Sequence, residues 1–386
     1  MMEHISERVN ALAPSQTLAM SQKSQELKAR GVDVINLSVG EPDFNTPDHI
    51  KAAAVKAIDD NFSFYTPVPG YMSLRKAISE TLKKENGIDF APEQIVVRGG
   101  AKQSLCNVVL AVINPGDEVI IPTPAWVSYV EMVNLAGGKS VEVPATIEND
   151  FKITPKQLRA AITPRTRLIM FNSPSNPTGS VYTHDELKAL VDVLADYPQI
   201  LVLSDEIYEH INFTGSFTSM ASFEAIADRT AIVNGVSKAY AMTGWRIGFL
   251  AAPLWLTKAT SKLQSQYTSG ACSIAQKAAE AAYTGPQQCV EDMRLAFERR
   301  RDLIVGLART IPGWKVNEPQ GAFYLFPEVS SYDSDLANYL LQEAHVATVA
   351  GSAICAPGYI RMSYATSDDT IVEAMERIKS ALALLV

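Results

Sequence analysis

Residues 94–121 read QIVVRGGAKQSLCNVVLAVINPGDEVII, and this stretch decides the fold. The β-branched run at 94–98 predicts a strand, 103–113 has helical character, Asn-Pro-Gly-Asp at 114–117 predicts a turn, and 118–121 predicts the next strand. Short apolar runs that alternate with longer helical segments are typical of a mainly parallel sheet covered by helices. The stretch therefore predicts an α/β architecture.

Three further apolar runs, at 167–171, 200–204 and 230–234, predict buried strands, because they contain too few polar residues to be half exposed. Candidate chemical residues follow the ends of these runs. Ligands of open α/β sheets bind outside the carboxyl ends of the strands, so these residues are expected to meet in one cleft. One long helical stretch is predicted from about 273 to 309.

The pattern changes after Ile311-Pro312-Gly313, which predicts a second, α+β domain. Its predicted strands lie at 314–316, 322–326 and 359–364, and its helices near 334–344 and 368–385. The first forty residues are expected to pack with this domain, which makes it discontinuous. The predicted organisation is an N-terminal segment at 1–46 that belongs to the small domain, a large domain at 47–311, and a small C-terminal domain at 312–386.

Composition excludes several classes of function. The 386 residues are 47% hydrophobic and 20% charged, which is typical of a globular protein with a large core. A net charge of -8 is unsuited to nucleic acid as the main partner. No apolar run approaches membrane-spanning length, and the first residues lack the apolar core of a signal peptide, so a cytoplasmic protein without a membrane partner is expected. The four cysteines and five histidines show no metal-ligand spacing, and no metal is expected.

A lysine and an arginine stand eight residues apart in SKAYAMTGWR, residues 237–246. Apolar neighbours would lower the pKa of Lys238, because they remove water from its ammonium group, and the free amine could then attack a carbonyl. The fixed fork of donors on Arg246 suits a phosphate. Either residue alone is more often a surface cation, but the spacing suits an aldehyde cofactor that carries a phosphate.

Further motifs occur in a characteristic order: GEPDF at 40–44, Tyr65, GGAK at 99–102, NSPSNPTG at 172–179, SDEIY at 204–208, the lysine segment, and RMSYA at 361–365. In this order they resemble the pyridoxal-phosphate-dependent aminotransferases of fold type I, and among these the bacterial-type aspartate aminotransferases. The resemblance covers nearly the whole chain. It implies a large domain with a mainly parallel, seven-stranded sheet covered by helices, together with a smaller discontinuous α+β domain.

The resemblance assigns several candidates to the ring of pyridoxal 5′-phosphate. Lys238 would form an imine with the aldehyde and later shuttle the substrate proton. Asp205 would pair with the pyridine nitrogen, so that the ring accepts electrons. Tyr208 and Asn176 would hydrogen-bond the phenolic oxygen, and Trp126 would stack on the ring. Asn176 and Trp126 are also expected to contact the substrate.

The phosphate is expected to bind Arg246, the Ser237 hydroxyl and the backbone N–H groups that open a helix after a strand, at Gly100, Ala101 and Lys102. Tyr65 resembles a tyrosine that reaches the phosphate from the neighbouring subunit, which implies a homodimer with shared active sites. One departure is Gly235, where other branches carry a serine three residues before the lysine. The departure removes one phosphate contact and leaves Ser237 to compensate in part.

The substrate carboxylates are assigned in the same way. Arg361 resembles the arginine that grips the α-carboxylate in a bidentate pair, and Gly40 would approach it with its backbone. Lys102, with Ser15 and Thr17, is the candidate for the distal carboxylate. Because lysine is a flexible point charge, such a site could also accept aromatic or prephenate-like substrates.

The sequence therefore predicts a transaminase that moves an amino group between aspartate and 2-oxoglutarate by a ping-pong mechanism through Lys238. The alternatives on the same scaffold are an aminotransferase for aromatic amino acids, alanine, kynurenine or prephenate, or a C–S lyase. A regulator built on this fold would need a DNA-binding domain, for which too few residues precede Gly40. A dehydrogenase would need a GxGxxG turn after a strand, and none is present.

Overall fold

The computed structural model describes residues 4–14, 16–332 and 335–385. The strands are β1 Ile35–Asn36, β2 Ile95–Arg98, β3 Glu118–Thr123, β4 Lys139–Pro144, β5 Thr166–Asn172, β6 Leu201–Asp205, β7 Thr230–Gly235, β8 Gly248–Ala251, β9 Tyr324–Leu325, β10 Val346–Ala347, β11 Val349–Ala350 and β12 Ile360–Ser363. The helices are α1 Glu7–Asn10, α2 Gln16–Ala29, α3 Asp48–Asp59, α4 Met72–Asn86, α5 Ala101–Val112, α6 Ser128–Leu135, α7 Pro155–Ala161, α8 His184–Ala195, α9 Glu224–Ala227, α10 Leu254–Tyr267, α11 Ser273–Thr284, α12 Gln288–Ala308, α13 Leu336–Glu343 and α14 Asp368–Leu382.

A seven-stranded sheet forms the centre of the molecule, in the order β2-β8-β7-β6-β5-β3-β4. The pairs from β7 to β4 are parallel, whereas β8 runs antiparallel to both of its neighbours. The prediction of a mainly parallel seven-stranded sheet is confirmed. All residues of β6 and β7 are buried, as expected for strands covered by helices on both faces.

Successive residues of a strand point to opposite faces of the sheet, and the cores on the two faces follow this alternation. Val119 and Ile121 of β3 pack on the face covered by α5 and α6. Ile120, between them, packs on the opposite face with α8. The remainder of that second face is covered by α3, α4 and α11. The sheet therefore lies between two helical layers, and its strand ends are the edge left open for a site.

The small sheets join the two ends of the chain. Strand β1 pairs in parallel with β10, and β9, β11 and β12 form a separate antiparallel sheet against which α12 and α14 pack. The N-terminal segment thus contacts the C-terminal region, in the way that the sequence led us to expect. The boundaries at 46/47 and 311/312 stay a prediction. Among the described residues, no helix combines the length and the apolar character that a membrane crossing needs.

Two predicted elements need correction, and the prediction also lacked β8. The helical stretch at 273–309 is two helices, α11 and α12, because Gly285 adopts an extended backbone and Pro286 cannot continue an α-helical hydrogen-bond ladder. The predicted strand at 314–316 is wrong, since only Lys315 forms a backbone bridge, to Glu328. Strand β8 was not predicted, because its short Gly-Phe-Leu-Ala sequence follows a turn-rich segment.

Candidate active site

A cavity of about 340 Å³ opens at the carboxyl ends of β5, β6 and β7. It brings together most of the predicted site residues: Gly40, Ala101, Lys102, Trp126, Asn176, Asp205, Tyr208, Ser237, Lys238, Arg246 and Arg361. These positions lie up to 321 residues apart in sequence, so the strand topology rather than local spacing collects them. The expectation of one shared cleft is confirmed.

The other predicted residues lie elsewhere. Gly100 is the N-cap of α5, and its φ of 94° together with the adjacent Arg246 guanidinium leaves no room for a Cβ. Tyr65 is 99% exposed and does not line the cavity of its own chain. Ser15 and the side chain of Thr17 lie outside the described part of the chain. Their predicted contact with the distal carboxylate stays a prediction.

Lys238 lies three residues beyond the end of β7, with its amine in the cavity. Its Nζ donates a 2.6 Å hydrogen bond to the Gly40 carbonyl oxygen. The pKa of Lys238 is lowered to about 8, mainly by burial and in part by the positive charges of Arg361 and Arg246, against the opposing charge of Glu41. A sizeable fraction of the amine is therefore unprotonated near neutral pH and can act as a nucleophile.

Asp205 ends β6 and is 4% exposed. The Tyr129 hydroxyl donates to its Oδ2 at 2.8 Å, and the Ile207 backbone N–H donates to its Oδ1 at 3.3 Å. Burial raises the pKa of Asp205 to about 6, whereas the hydrogen bond from Tyr129 lowers it. The carboxylate is thus mostly ionised at pH 7, and it can hold a protonated partner in the cavity.

Arg361 is 2% exposed, and a network fixes its guanidinium. Its Nη1 donates to Asn176 Oδ1 at 2.9 Å and its Nη2 to the Ser38 carbonyl oxygen at 2.8 Å. The guanidinium carbon lies 4.6 Å from the Tyr324 ring centroid, and Nε has no hydrogen-bond partner. No ion pair joins Arg361 to a carboxylate within the described ranges. A buried cation without a counter-charge suits an anionic ligand.

Tyr208 and Tyr324 share a 2.8 Å hydrogen bond between their hydroxyls at the same wall. Burial raises the pKa of Tyr208 well above its ordinary value, and the Tyr324 hydroxyl raises it further. Both phenols therefore stay protonated at neutral pH. They can donate to an oxygen in the cavity, as the predicted phenolic contact of Tyr208 requires.

The opposite end of the cavity is built for an anion. Arg246 donates from Nη1 to the Thr243 carbonyl oxygen at 2.9 Å and from Nη2 to the Gly99 carbonyl oxygen at 3.2 Å, beside the first turn of α5. The departure at Gly235 has a steric reason, since its Cβ would lie 2.6 Å from the Cα of Gly248 on β8. The close approach of β7 and β8 permits only glycine there.

Lys102 projects from the first turn of α5 into the same cavity. Its Nζ lies 4.6 Å from the Trp126 ring centroid, which is a cation–π contact. Burial lowers the pKa of Lys102, and the charge of Arg246 lowers it further. No ion pair to Lys102 occurs in the part of the chain that the structure describes. Lys102 and Arg361 are thus two cationic groups that line the same cavity.

Sequence reasoning missed Tyr129, Tyr324 and Asn172. Asn172 donates to the Asp205 carbonyl oxygen at 2.9 Å and accepts from the Asn176 N–H at 2.8 Å, so it joins two predicted residues. Tyr129 lies in the first turn of α6, three residues after Trp126, and its ring packs edge-on against the Trp126 ring with centroids 5.5 Å apart, so closeness to the predicted stacking residue was the available signal. Tyr324 carries no such local signal, because only the docking of the β9 sheet brings it to Tyr208.

The cavity fits the cofactor that the resemblance implies. Lys238 offers an amine of lowered pKa for the aldehyde, and the buried Asp205 carboxylate offers a partner for a ring nitrogen. Arg246 and the start of α5 offer donors for a phosphate, and the absence of a Cβ at Gly100 lets the Arg246 guanidinium approach the start of α5 closely.

Comparison with known proteins agrees with this donor set. Residues 32–378 match the family model of aminotransferase class I and II. The aspartate/prephenate aminotransferase of Cereibacter sphaeroides is 49% identical, over 99% of this chain and 99% of its own. The aspartate aminotransferase of Geobacillus stearothermophilus is 48% identical, over 97% of this chain and 98% of its own. The structure of Thermus thermophilus aspartate aminotransferase with maleate superposes with a TM-score of 0.94 at 42% identity, covering 98% of this chain and 100% of that one.

The match spans nearly the whole chain, in sequence and in structure, and includes every segment that contributes to the cavity between Gly40 and Arg361. The chain therefore belongs to the class I and II aminotransferases, a family of enzymes that depend on pyridoxal 5′-phosphate.

Proposed function

We propose that this protein transfers the amino group of aspartate to 2-oxoglutarate, giving oxaloacetate and glutamate, in a ping-pong cycle. The observation that carries the proposal is the pair of cations Arg361 and Lys102. Both line the cavity that contains the Lys238 amine, and neither forms an ion pair with a carboxylate among the described residues. A dicarboxylic amino acid can form an ion pair with each of these two cations, whereas alanine has a carboxylate for only one of them.

The cofactor would be held by residues at the two ends of the cavity. Arg246, Ser237 and the first N–H groups of α5 would bind the phosphate, and Trp126 would lie against the ring. Asp205 would hold a proton on the ring nitrogen, and Tyr208 with Asn176 would donate to the phenolic oxygen. When bound, pyridoxal phosphate supplies an aldehyde that carries the amino group and a ring that takes up the electron pair of the broken Cα–H bond.

Lys238 and Arg361 perform the steps on the substrate. Arg361 binds the α-carboxylate through its guanidinium fork, which Asn176 and Ser38 already hold in place. This fixes the α-carbon relative to Lys238. The Lys238 amine then accepts the proton of the substrate α-carbon and is left as an ammonium, which is efficient because the base is already in the cavity. With the cofactor bound, Lys238 would deliver this proton to the carbon that came from the aldehyde. The second half of the cycle reverses these steps with 2-oxoglutarate.

Prephenate is a second candidate substrate, as the oxo-acid acceptor. Lys102 is a point charge on a flexible stem beside the Trp126 ring, so it can meet carboxylates at different distances from the reacting carbon. Prephenate also carries two carboxylates. The names of the relatives from Cereibacter sphaeroides and Nitrosomonas europaea include both aspartate and prephenate.

The assembly belongs to the same proposal: a homodimer with shared active sites, in the cytoplasm. Tyr65 and its neighbour Phe64 are 99% and 82% exposed, and Val55 and Ile58 of α3 are each 58% exposed. Several large apolar side chains exposed within one segment of the chain favour an interface. A second copy that covers this surface would bring Tyr65 to the neighbouring phosphate site.

The half-reaction tests the proposal directly. The cofactor-loaded enzyme is mixed with single amino acids, and cofactor absorbance reports conversion from the aldehyde to the amine form. We expect aspartate and glutamate to convert it about a hundredfold faster than alanine, since the charge pair between Lys102 and the distal carboxylate is lost with alanine. Lys238→Ala serves as the control without conversion. Conversion by aromatic or sulfur-containing amino acids alone would refute the proposed substrate while leaving the family unchanged.

A further inference from the structure

Arg98, the last residue of β2, is a fully buried cation that the proposed mechanism does not use. Its Nη1 donates to Gln264 Oε1 at 2.6 Å and lies 3.5 Å from the Thr260 carbonyl oxygen, both on α10. Its Nε and Nη2 have no hydrogen-bond partner. Across the described ranges no carboxylate forms an ion pair with Arg98. The side chain therefore carries a positive charge without a counter-charge inside the protein.

The position of this charge relates it to the anion-binding end of the cavity. Arg98 immediately precedes Gly99, whose carbonyl oxygen accepts from Arg246. Its guanidinium lies beside Asn107 of α5, six residues after Ala101, which is about 9 Å along the helix axis. The residues of α5 between these positions include the buried Ser104, Leu105 and Asn107, so a charge at Arg98 is screened less over this distance than a charge in water.

We infer that Arg98 is a positioning residue for the cofactor: its buried charge strengthens the binding of the phosphate dianion at the start of α5. The inference rests on the proposed function in one respect, the placement of the phosphate beside Arg246. Arg98 itself does not touch the phosphate. It raises the positive potential at a site where helix N–H groups and Arg246 provide the contacts.

The energetics of burial support this role. An unpaired buried charge destabilises a fold, and replacing it by an apolar side chain is often neutral or stabilising. Burial lowers the pKa of Arg98 to about 10, so the guanidinium remains charged at neutral pH. Gln264 accepts only one of its donors and carries no charge. A cation kept at this cost is explained if its counter-charge arrives with the cofactor.

The test compares Arg98→Met with Arg98→Lys, which keeps the charge. The dissociation constants of pyridoxal phosphate and of pyridoxal, which lacks the phosphate, are measured on the apoenzymes, together with the melting temperature without cofactor. For Arg98→Met we expect about tenfold weaker binding of pyridoxal phosphate, unchanged binding of pyridoxal, and a melting temperature that is equal or higher. Arg98→Lys should bind pyridoxal phosphate within about threefold of the wild type. If the methionine variant does not fold, Arg98→Gln takes its place.

Arg246→Gln separates failure of the inference from failure of the proposed function. If Arg246→Gln weakens pyridoxal phosphate binding and Arg98→Met does not, the inference is wrong and the phosphate placement stands. If neither variant affects binding, the phosphate is placed elsewhere. A lower melting temperature of apo Arg98→Met with equal loss of both ligands assigns Arg98 a structural role alone and overturns the inference.

Discussion

Lys102 and Arg361 differ in how well the protein fixes them before a substrate arrives. Two hydrogen bonds hold the Arg361 fork, to Asn176 and to the Ser38 carbonyl oxygen. The Lys102 amine lies over the face of the Trp126 ring, and within the described ranges it forms no hydrogen bond or ion pair. A fixed fork suits the α-carboxylate, which every amino-acid substrate carries in the same place. A movable cation suits the distal group, whose position varies among substrates.

Lys102→Met tests the role of this lysine in recognising the distal carboxylate. Methionine keeps much of the contact with Trp126 and removes the charge. We expect kcat/KM for aspartate to fall roughly a hundredfold, because the distal carboxylate loses its cationic partner in the cavity, and kcat/KM for alanine to change less than about threefold. Steady-state kinetics with both donors measure the ratio.

The exposed Lys188, which pairs with Asp192 on α8, provides the matched control. Lys188→Met should leave both substrates unchanged, since Lys188 does not line the cavity. Equal losses for aspartate and alanine in Lys102→Met would mean that Lys102 acts on the cofactor or on the fold and does not recognise the distal carboxylate.

Single residues were predictable where the chemistry requires a residue type within a local motif. Lys238, Asp205 and Arg361 were found in this way, and the structure places all three in the cavity. Tyr324 was not, because its contact with Tyr208 spans 116 residues and depends on how the β9 sheet docks. Sequence patterns indicate local structure, whereas this contact joins two distant segments and leaves no local pattern in the sequence.

The segment after β6 connects the strand to the site, and a buried glutamate anchors it. Glu206 Oε1 accepts from the hydroxyls of Ser204 and Ser219, at 2.9 and 2.8 Å, and from the Met220 N–H at 3.1 Å. Its Oε2 has no partner. Burial raises the pKa of Glu206 to about 8, against the lowering by these hydrogen bonds. The Glu206 carboxyl is therefore mainly protonated at neutral pH. In sequence it follows Asp205 directly and precedes Tyr208 by two residues.

This burial makes stability depend on pH in a defined direction. The folded state holds the Glu206 proton up to a pKa of about 8, whereas the unfolded chain releases it near 4.5, so the free energy of unfolding falls as pH rises between these values. Glu206→Gln keeps an acceptor for the three donors and cannot ionise. We expect its free energy of unfolding to fall less between pH 6 and 9 than that of the wild type, by about 2 kcal/mol.

Urea unfolding of the apoproteins at several pH values measures this difference. Asp205, Lys238 and the other titrating groups occur in both proteins and cancel in the comparison. Glu318→Gln, at an exposed carboxylate paired with Arg309, is the control and should follow the wild type. Parallel curves for the wild type and Glu206→Gln would show that Glu206 is already ionised in the folded protein.

Elements were predictable where hydrophobic pattern and length agree, and less so where one short feature decides. The long buried strands β5, β6 and β7 were recognised from their composition alone. The break between α11 and α12 depends on Gly285-Pro286, which the continuous helical pattern on either side concealed. Strand β8 is four residues long, and it is a strand because β2 and β7 pair with it on both sides.

Across the whole molecule, the substrate end of the cavity depends on contacts between distant parts of the chain. Arg300 of α12 forms a bidentate ion pair with Asp43, at 2.8 and 2.9 Å, three residues after Gly40. Strand β1 precedes this segment and pairs with β10. The Gly40 carbonyl and Arg361 are therefore positioned by the same C-terminal region. A movement of that region would carry both toward or away from Lys238, so we expect it to close on the substrate.

The proposed dimer predicts a result that no single chain can produce. Lys238→Ala has no amine at its own site, and Tyr65→Ala fails to supply the tyrosine to its partner's site. In a mixed dimer, one site combines Lys238 of one subunit with the Tyr65 of the other and is complete, whereas the second site lacks both. Random exchange makes half of the dimers mixed, so about one quarter of all sites become complete. We expect activity near this fraction of the wild type after co-refolding the two variants.

The controls use the same variants. Each variant refolded alone provides the baseline, and in Lys238→Ala co-refolded with the wild type half of the sites should be complete. Activity equal to the sum of the separate variants would show that Tyr65, 99% exposed on its own chain, serves no neighbouring site.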